Sequence, residues 1–183
     1  MMTALAMPRR AETGQRLCYL FLIFLLGCCV GWVYEELFYW ATEGLLRNRG
    51  VLYGPWLPIY GAGALAIYAM KPFKRNPALL FLLCTASSGV VEFLVGWAGL
   101  HLLGLRLWDY RGLFWNVEGL VCLRSVLSFG ALGLLFHYLL EPMGRRLYRR
   151  FQPRASQTLA GHLAILFCLD CLLSLLFRTP ITY

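Results

Sequence analysis

"NRGVLYGPWLPIYGAGAL", Asn48–Leu65, is the stretch on which the reading of the whole chain turns. It is apolar enough for a membrane interior, yet it is broken by Pro55 and Pro58 and by Gly50, Gly54, Gly61 and Gly63. Two structures fit it. A helix can begin near Pro55, where the missing amides of a first turn are tolerated. It would run to Met70, which is short for a crossing, with Gly61 and Gly63 letting a neighbouring backbone come close. Alternatively Val51–Pro58 is non-helical and dips into the membrane, which is permitted only where protein or a water-filled cavity covers the backbone.

Working outward, the composition places this stretch in a membrane protein. Hydrophobic residues make up 60% of the 183 positions and charged residues 14%, against about 45–50% and about 25% in soluble domains. Five apolar segments lie near the roughly 20 residues needed to cross the hydrocarbon layer. They are Leu17–Ala41, Val51–Met70, Pro77–Leu103, Val117–Leu140 and Thr158–Phe177. The first does not read as a cleaved signal, because it is too long, carries Glu35 and Glu36, and has no small-residue cleavage site after it.

The expected fold is therefore all-α: a polytopic membrane helix bundle of five transmembrane helices. Residues 1–16 form an N-terminal segment and 17–140 a four-helix core with outer loops at 42–50 and 104–116. Residues 141–157 form a basic loop, and 158–183 a fifth helix with a short tail. Lysine and arginine bias sets orientation. Arg9, Arg10, Arg16, Lys71, Lys74, Arg75 and the Arg145–Arg154 group fall on one side, which puts the N-terminus in the cytoplasm and the C-terminus outside a bacterial plasma membrane. The net charge of +8 needs only anionic lipid as its counterpart, so no nucleic-acid partner is expected.

Ionisable residues inside spans cost roughly 2.5–3.5 kcal/mol each at the membrane centre and usually face a partner or a cavity. Glu35, Glu92, Glu118 and Arg124 are of this kind. Of the adjacent Glu35 and Glu36, one is expected to point inward and the other toward the interface. Glu118 is expected to open the fourth span, where a carboxylate suits a helix N-terminus. Arg124 lies too far along for a same-face pair with Glu118, so Glu92 or Glu35 is its expected partner. In the outer loops, Arg49 with Asp109 and Arg111 would form a mixed-charge patch above the carboxylates, and most of the loop aromatics suit an interfacial belt. His101, His137 and His162 sit singly near span ends, as interfacial residues do. The seven cysteines read as small packing residues, and no metal or cofactor is expected.

A repeat is expected through the first four spans. Gly31–Glu35 resembles Ser88–Glu92, Arg49–Gly54 resembles Arg111–Asn116, and Gly63–Leu65 resembles Gly130–Leu132. Two parallel two-helix units would place a site at their interface. A Gly/Pro-interrupted second span matched by the polar run Asn116–Ser125 points to the same place. The candidate cavity set is Glu35, Arg49, Tyr60, Glu92, Asp109, Arg111, Asn116, Glu118 and Arg124.

The runs "GWVYEELFYW", "NRGVLYGPWLPIYGAGAL", "WDY" and "NVEGLVCL" resemble the CmpB type of bacterial ABC-transporter permeases over Leu17–Leu140. By that resemblance Gly31, Trp32, Glu35, Asn48, Arg49, Gly50, Gly54, Pro55, Pro58, Tyr60, Gly61, Glu92, Trp108, Asp109, Tyr110, Asn116 and Gly119 occupy signature positions. Leu120 departs from it, standing where the pattern carries a basic residue, with Arg124 one turn further on. The resemblance implies a permease and, by itself alone, an ATPase partner.

The function expected is a permease-like or solute-binding subunit with an outward-opening polar cavity, with the bilayer, further copies or another membrane subunit as partners. An intramembrane enzyme acting on lipid or envelope precursors is an alternative, since paired carboxylates and an arginine can do acid–base work; no nucleophile is evident. A non-catalytic scaffold subunit is the other.

Overall fold

A computed structural model of the chain describes residues 9–44, 46, 50–150 and 153–177. Its elements in order are α1 (Arg9–Glu43), α2 (Pro58–Ala69), a short 3-10 turn (Lys71–Phe73), α3 (Pro77–Leu102), α4 (Leu123–Leu135), a π-helical stretch (Phe136–Leu140), α5 (Glu141–Arg150) and α6 (Pro153–Phe177). The π stretch joins α4 to α5 without a break, so the described residues form five helical rods. No strand is present among them, only an isolated bridge between Val117 and Val121.

Four of the rods are long and apolar enough to cross a membrane: Thr13–Thr42, Pro77–Leu102, Leu123–Tyr148 and Arg154–Phe177. The expected second crossing differs. α2 has 12 residues, about 18 Å at ~1.5 Å per residue, well short of a hydrocarbon layer about 30 Å thick. It starts at Pro58 rather than Pro55, and residues 51–57 take the non-helical of the two conformations open to them. The cause is local: a proline disfavours helical backbone in the residue before it, and Leu57 is accordingly extended at φ −113° and ψ 103°.

A non-helical segment among apolar helices must satisfy its own amides. Here the N–H groups of Tyr53 and Gly54 donate to the Asp170 carboxylate of α6 at 3.0 and 2.8 Å. The Leu57 N–H donates to the Cys28 carbonyl of α1 at 3.1 Å. Trp56 N–H turns back to the Gly54 carbonyl at 2.8 Å, and Pro55 has none to place. The segment is held by α1, the helix that precedes it, and by α6, more than a hundred residues downstream.

The fourth rod also differs from expectation. It begins at Leu123 rather than Val117 and continues to Arg150, so Arg145 and Arg146 lie on a helix. Cys122 caps it: Ser125 N–H donates to Cys122 Sγ, and Cys122 N–H donates to Ser125 Oγ at 3.2 Å. Within the rod His137 is fully buried, not interfacial, and its Nε2 lies 2.7 Å from the Ile67 carbonyl at the end of α2.

Packing pairs α1 with α2 and α3 with α4 most closely, and α2 also lies along α3. Small residues set these approaches. A Cβ on Gly27 would strike the Ala64 Cβ and the Tyr60 carbonyl, and one on Gly133 would strike Cys84. The core is Ile23, Ala64, Ile67, Leu80, Cys84 and Phe136. At the end distant from the two long loops, buried Glu141 accepts from Lys71 Nζ at 3.1 Å, from Tyr19 at 3.4 Å and from Arg145, tying α1, the 3-10 turn and α5 together. The outer faces of α6 are apolar and exposed, from Leu159 to Phe177, as lipid-facing surface is.

Candidate functional site

One cavity of about 240 Å³ lies beneath the two loops, among α1, α2, α3 and α4. Glu35 and Glu36 reach it from α1, Tyr60 from α2, Glu92 from α3, Trp108 and Tyr110 from the second loop, and Arg124, Ser125 and Ser128 from α4. Gly50, Val51 and Leu57 of the first loop complete its wall.

Two carboxylate–tyrosine contacts organise it. Tyr60 donates to Glu35 Oε1 at 2.6 Å. Its ring fills the space left by Gly31, where a Cβ would collide with it, and packs on Phe129 with centroids 5.2 Å apart. Opposite, Glu92 is 3% exposed and accepts from Tyr110 at 3.0 Å and from Ser125 Oγ at 2.8 Å. Each of these donors is positioned by its own segment. Ser125 is the N3 residue of the α4 cap. Tyr110 N–H donates to the Gly119 carbonyl at 2.9 Å, and neighbouring Trp108 donates from Nε1 to the Leu120 carbonyl at 2.7 Å.

Glu36 lines the same cavity and, at 8% exposed, is more buried than Glu35. The two glutamates therefore do not divide between core and interface. Arg124 is exposed, and its guanidinium lies over the Phe38 ring, 5.4 Å from the centroid. Among the described residues it makes no ion pair with Glu92 or Glu35. The reach of its stem is spent on an aromatic face of α1 instead.

Several expected members lie outside the lining. Asp109 and Arg111 are exposed and pair with each other, through Nε at 2.8 Å and through Nη2. That guanidinium holds the Asp109 carboxyl down at about 2, below its usual range. Asn116 spends its amide within its own loop, donating to the Arg111 and Leu113 carbonyls and accepting from Gly119 N–H. Glu118 is exposed at φ 54°, in the turn before the helix rather than in its first turn, because α4 starts only at Leu123. Gly119 beside it has φ 69°, a left-handed conformation that glycine adopts without strain. Asn48 and Arg49 lie outside the described residues.

Of the signature positions, Trp32, Gly50, Pro58, Trp108 and Tyr110 line the cavity, while Gly31 and Gly61 set the α1–α2 approach. Gly54 and Pro55 lie in the segment that Asp170 holds. Asp170 itself escaped the sequence reading. The available signal was a lone aspartate in an otherwise apolar final span.

These features define a polytopic helical membrane protein with buried carboxylates around a cavity between helix pairs. The chain belongs to the family described as "Putative ABC-transporter type IV", whose family model matches residues 22–175. It is thereby a membrane protein of a transport-related family. No curated protein and no solved structure matches it.

Proposed function

We propose that the chain is a permease-like, solute-binding membrane subunit whose cavity opens on the side of the two long loops. The observation that carries this is convergence: three carboxylates from two helices, with tyrosines from a third helix and a loop, meet at one cavity. Intramembrane ionisable groups ordinarily mark a substrate or ion path. Residues 50–57 with α2 act as one interrupted crossing, which makes the fifth passage and leaves irregular backbone against the cavity, as in transporters built on broken helices. Glu35 and Glu92, which hold corresponding places in the two helix pairs, each accept from a tyrosine, and this supports the repeat. Arginine and lysine bias supports a cytoplasmic N-terminus in a bacterial plasma membrane.

The test is access. In right-side-out vesicles, Ser128→Cys should react with a membrane-impermeant maleimide added outside, above the background from the native cysteines. Labelling only after denaturation would sink the open-cavity reading. Labelling only in inverted vesicles would reverse the orientation.

A further inference from the structure

Two carboxylates of this cavity, Glu36 and Glu92, form no ion pair among the described residues. Glu92 has only neutral donors, the hydroxyls of Tyr110 and Ser125. The Glu36 side chain makes no hydrogen bond or ion pair among the described residues, although it is 8% exposed and lines the cavity. Burying an ionised carboxylate without a counter-charge is costly, and in a membrane span the cost is selected against unless it serves a ligand. The remaining wall is largely apolar, with aromatic faces from Trp32, Tyr60, Trp108 and Tyr110. The combination of aromatic faces and carboxylates is the chemistry that holds ammonium groups.

The chain supplies its own example of such a contact. Arg124, the cationic side chain among the described lining residues, rests on Phe38 of the same wall. A bare metal ion is a poorer fit, because no group of three or more histidine, cysteine, aspartate or glutamate side chains is placed to hold one among the described residues. At about 240 Å³ the space falls just below the roughly 300–1,000 Å³ of drug-sized sites, which favours a small molecule.

We infer that the cavity takes a small organic cation with an apolar body, an amine or quaternary ammonium, held by Glu36 and Glu92 against the aromatic wall. This rests on the solute-binding reading above and adds the class of solute.

The experiment compares three probes of similar shape: benzyltrimethylammonium, its neutral isostere neopentylbenzene, and benzenesulfonate. Each is titrated into the full chain in phosphatidylcholine nanodiscs, with the fluorescence of the cavity tryptophans as readout and empty nanodiscs as blank. The cation should bind at least tenfold more tightly than either other probe. Glu36→Gln and Glu92→Gln should each erase most of that preference while leaving the neutral probe unchanged. If the neutral probe or the anion binds as well as the cation, the cation inference fails and solute binding stands; carboxylates that simply hold protons would give this result. If none of the three binds, both fall. The charge series on the native chain decides the matter even where a variant misfolds.

Discussion

The indole N–H of Trp56 donates to Oδ2 of Asp170 at 2.5 Å, joining residues 114 positions apart. The same carboxylate takes the amides of Tyr53 and Gly54 and the Ser174 hydroxyl. One side chain of α6 thus substitutes for the hydrogen bonds that a helix would have given this segment. Asp170→Ala removes the acceptor from all of them and should cost about 1–3 kcal/mol, read as a fall of several degrees in melting temperature in detergent. Trp56→Phe should cost less, and the double variant should cost less than the two singles added. Strict additivity would mean that the two residues do not act together.

Glu92 makes the opposite kind of prediction. Replacing it by glutamine removes an ionisable group from the interior but keeps an acceptor for Tyr110, so Glu92→Gln without ligand should melt no lower than the native chain. Glu92→Leu strands the Tyr110 hydroxyl, while Ser125 keeps the Cys122 carbonyl, and should lose about 1–3 kcal/mol. Equal damage from both would show that the charge itself holds the fold.

Gly31 is where Tyr60 enters the α1 surface. Gly31→Ala should push the ring away, weaken its bond to Glu35 and destabilise by about 1–3 kcal/mol through overpacking. In a Tyr60→Ala background the same substitution should cost much less. A full cost there would locate the strain elsewhere.

The Asp109–Arg111 pair gives a pH prediction for the second loop. Arg111 lowers the Asp109 carboxyl from 3.8 to about 2. A depressed carboxylate contributes stability that is complete above its unfolded value and is lost as pH falls through its folded one. Amide exchange around residues 109–119 should therefore be constant above about pH 4 and, after correction for intrinsic rates, accelerate toward about pH 2. Asp109→Asn should remove that dependence. An unchanged profile in the variant would assign it to another group.

Much of the architecture was legible because hydropathy reports length and mean polarity. The apolar segments around Leu17–Ala41, Pro77–Leu103 and Thr158–Phe177 became rods, and Glu35, Tyr60, Glu92 and Arg124 do line one cavity. What hydropathy does not report is backbone state. The prolines and glycines of 51–57 left helix and non-helical backbone both open, whereas the loop conformation of residues 117–122 was hidden, as was the continuation of the fourth rod through Phe136–Leu140 into a charged helix. Side-chain partners were harder still. A carboxylate is the partner hydropathy suggests for Arg124, but its guanidinium lies over the Phe38 ring. Nothing local to Asp170 announces that three of its donors lie more than a hundred residues upstream.

That separation has a consequence for biosynthesis. Chains emerge from the ribosome N-terminus first, and the acceptor for the residue 53 and 54 amides is 117 and 116 positions downstream. When α1 and α2 enter the bilayer, the roof between them has no final form to adopt. Those two amides meet this acceptor only once α6 has been made, so a helix made late completes the first loop.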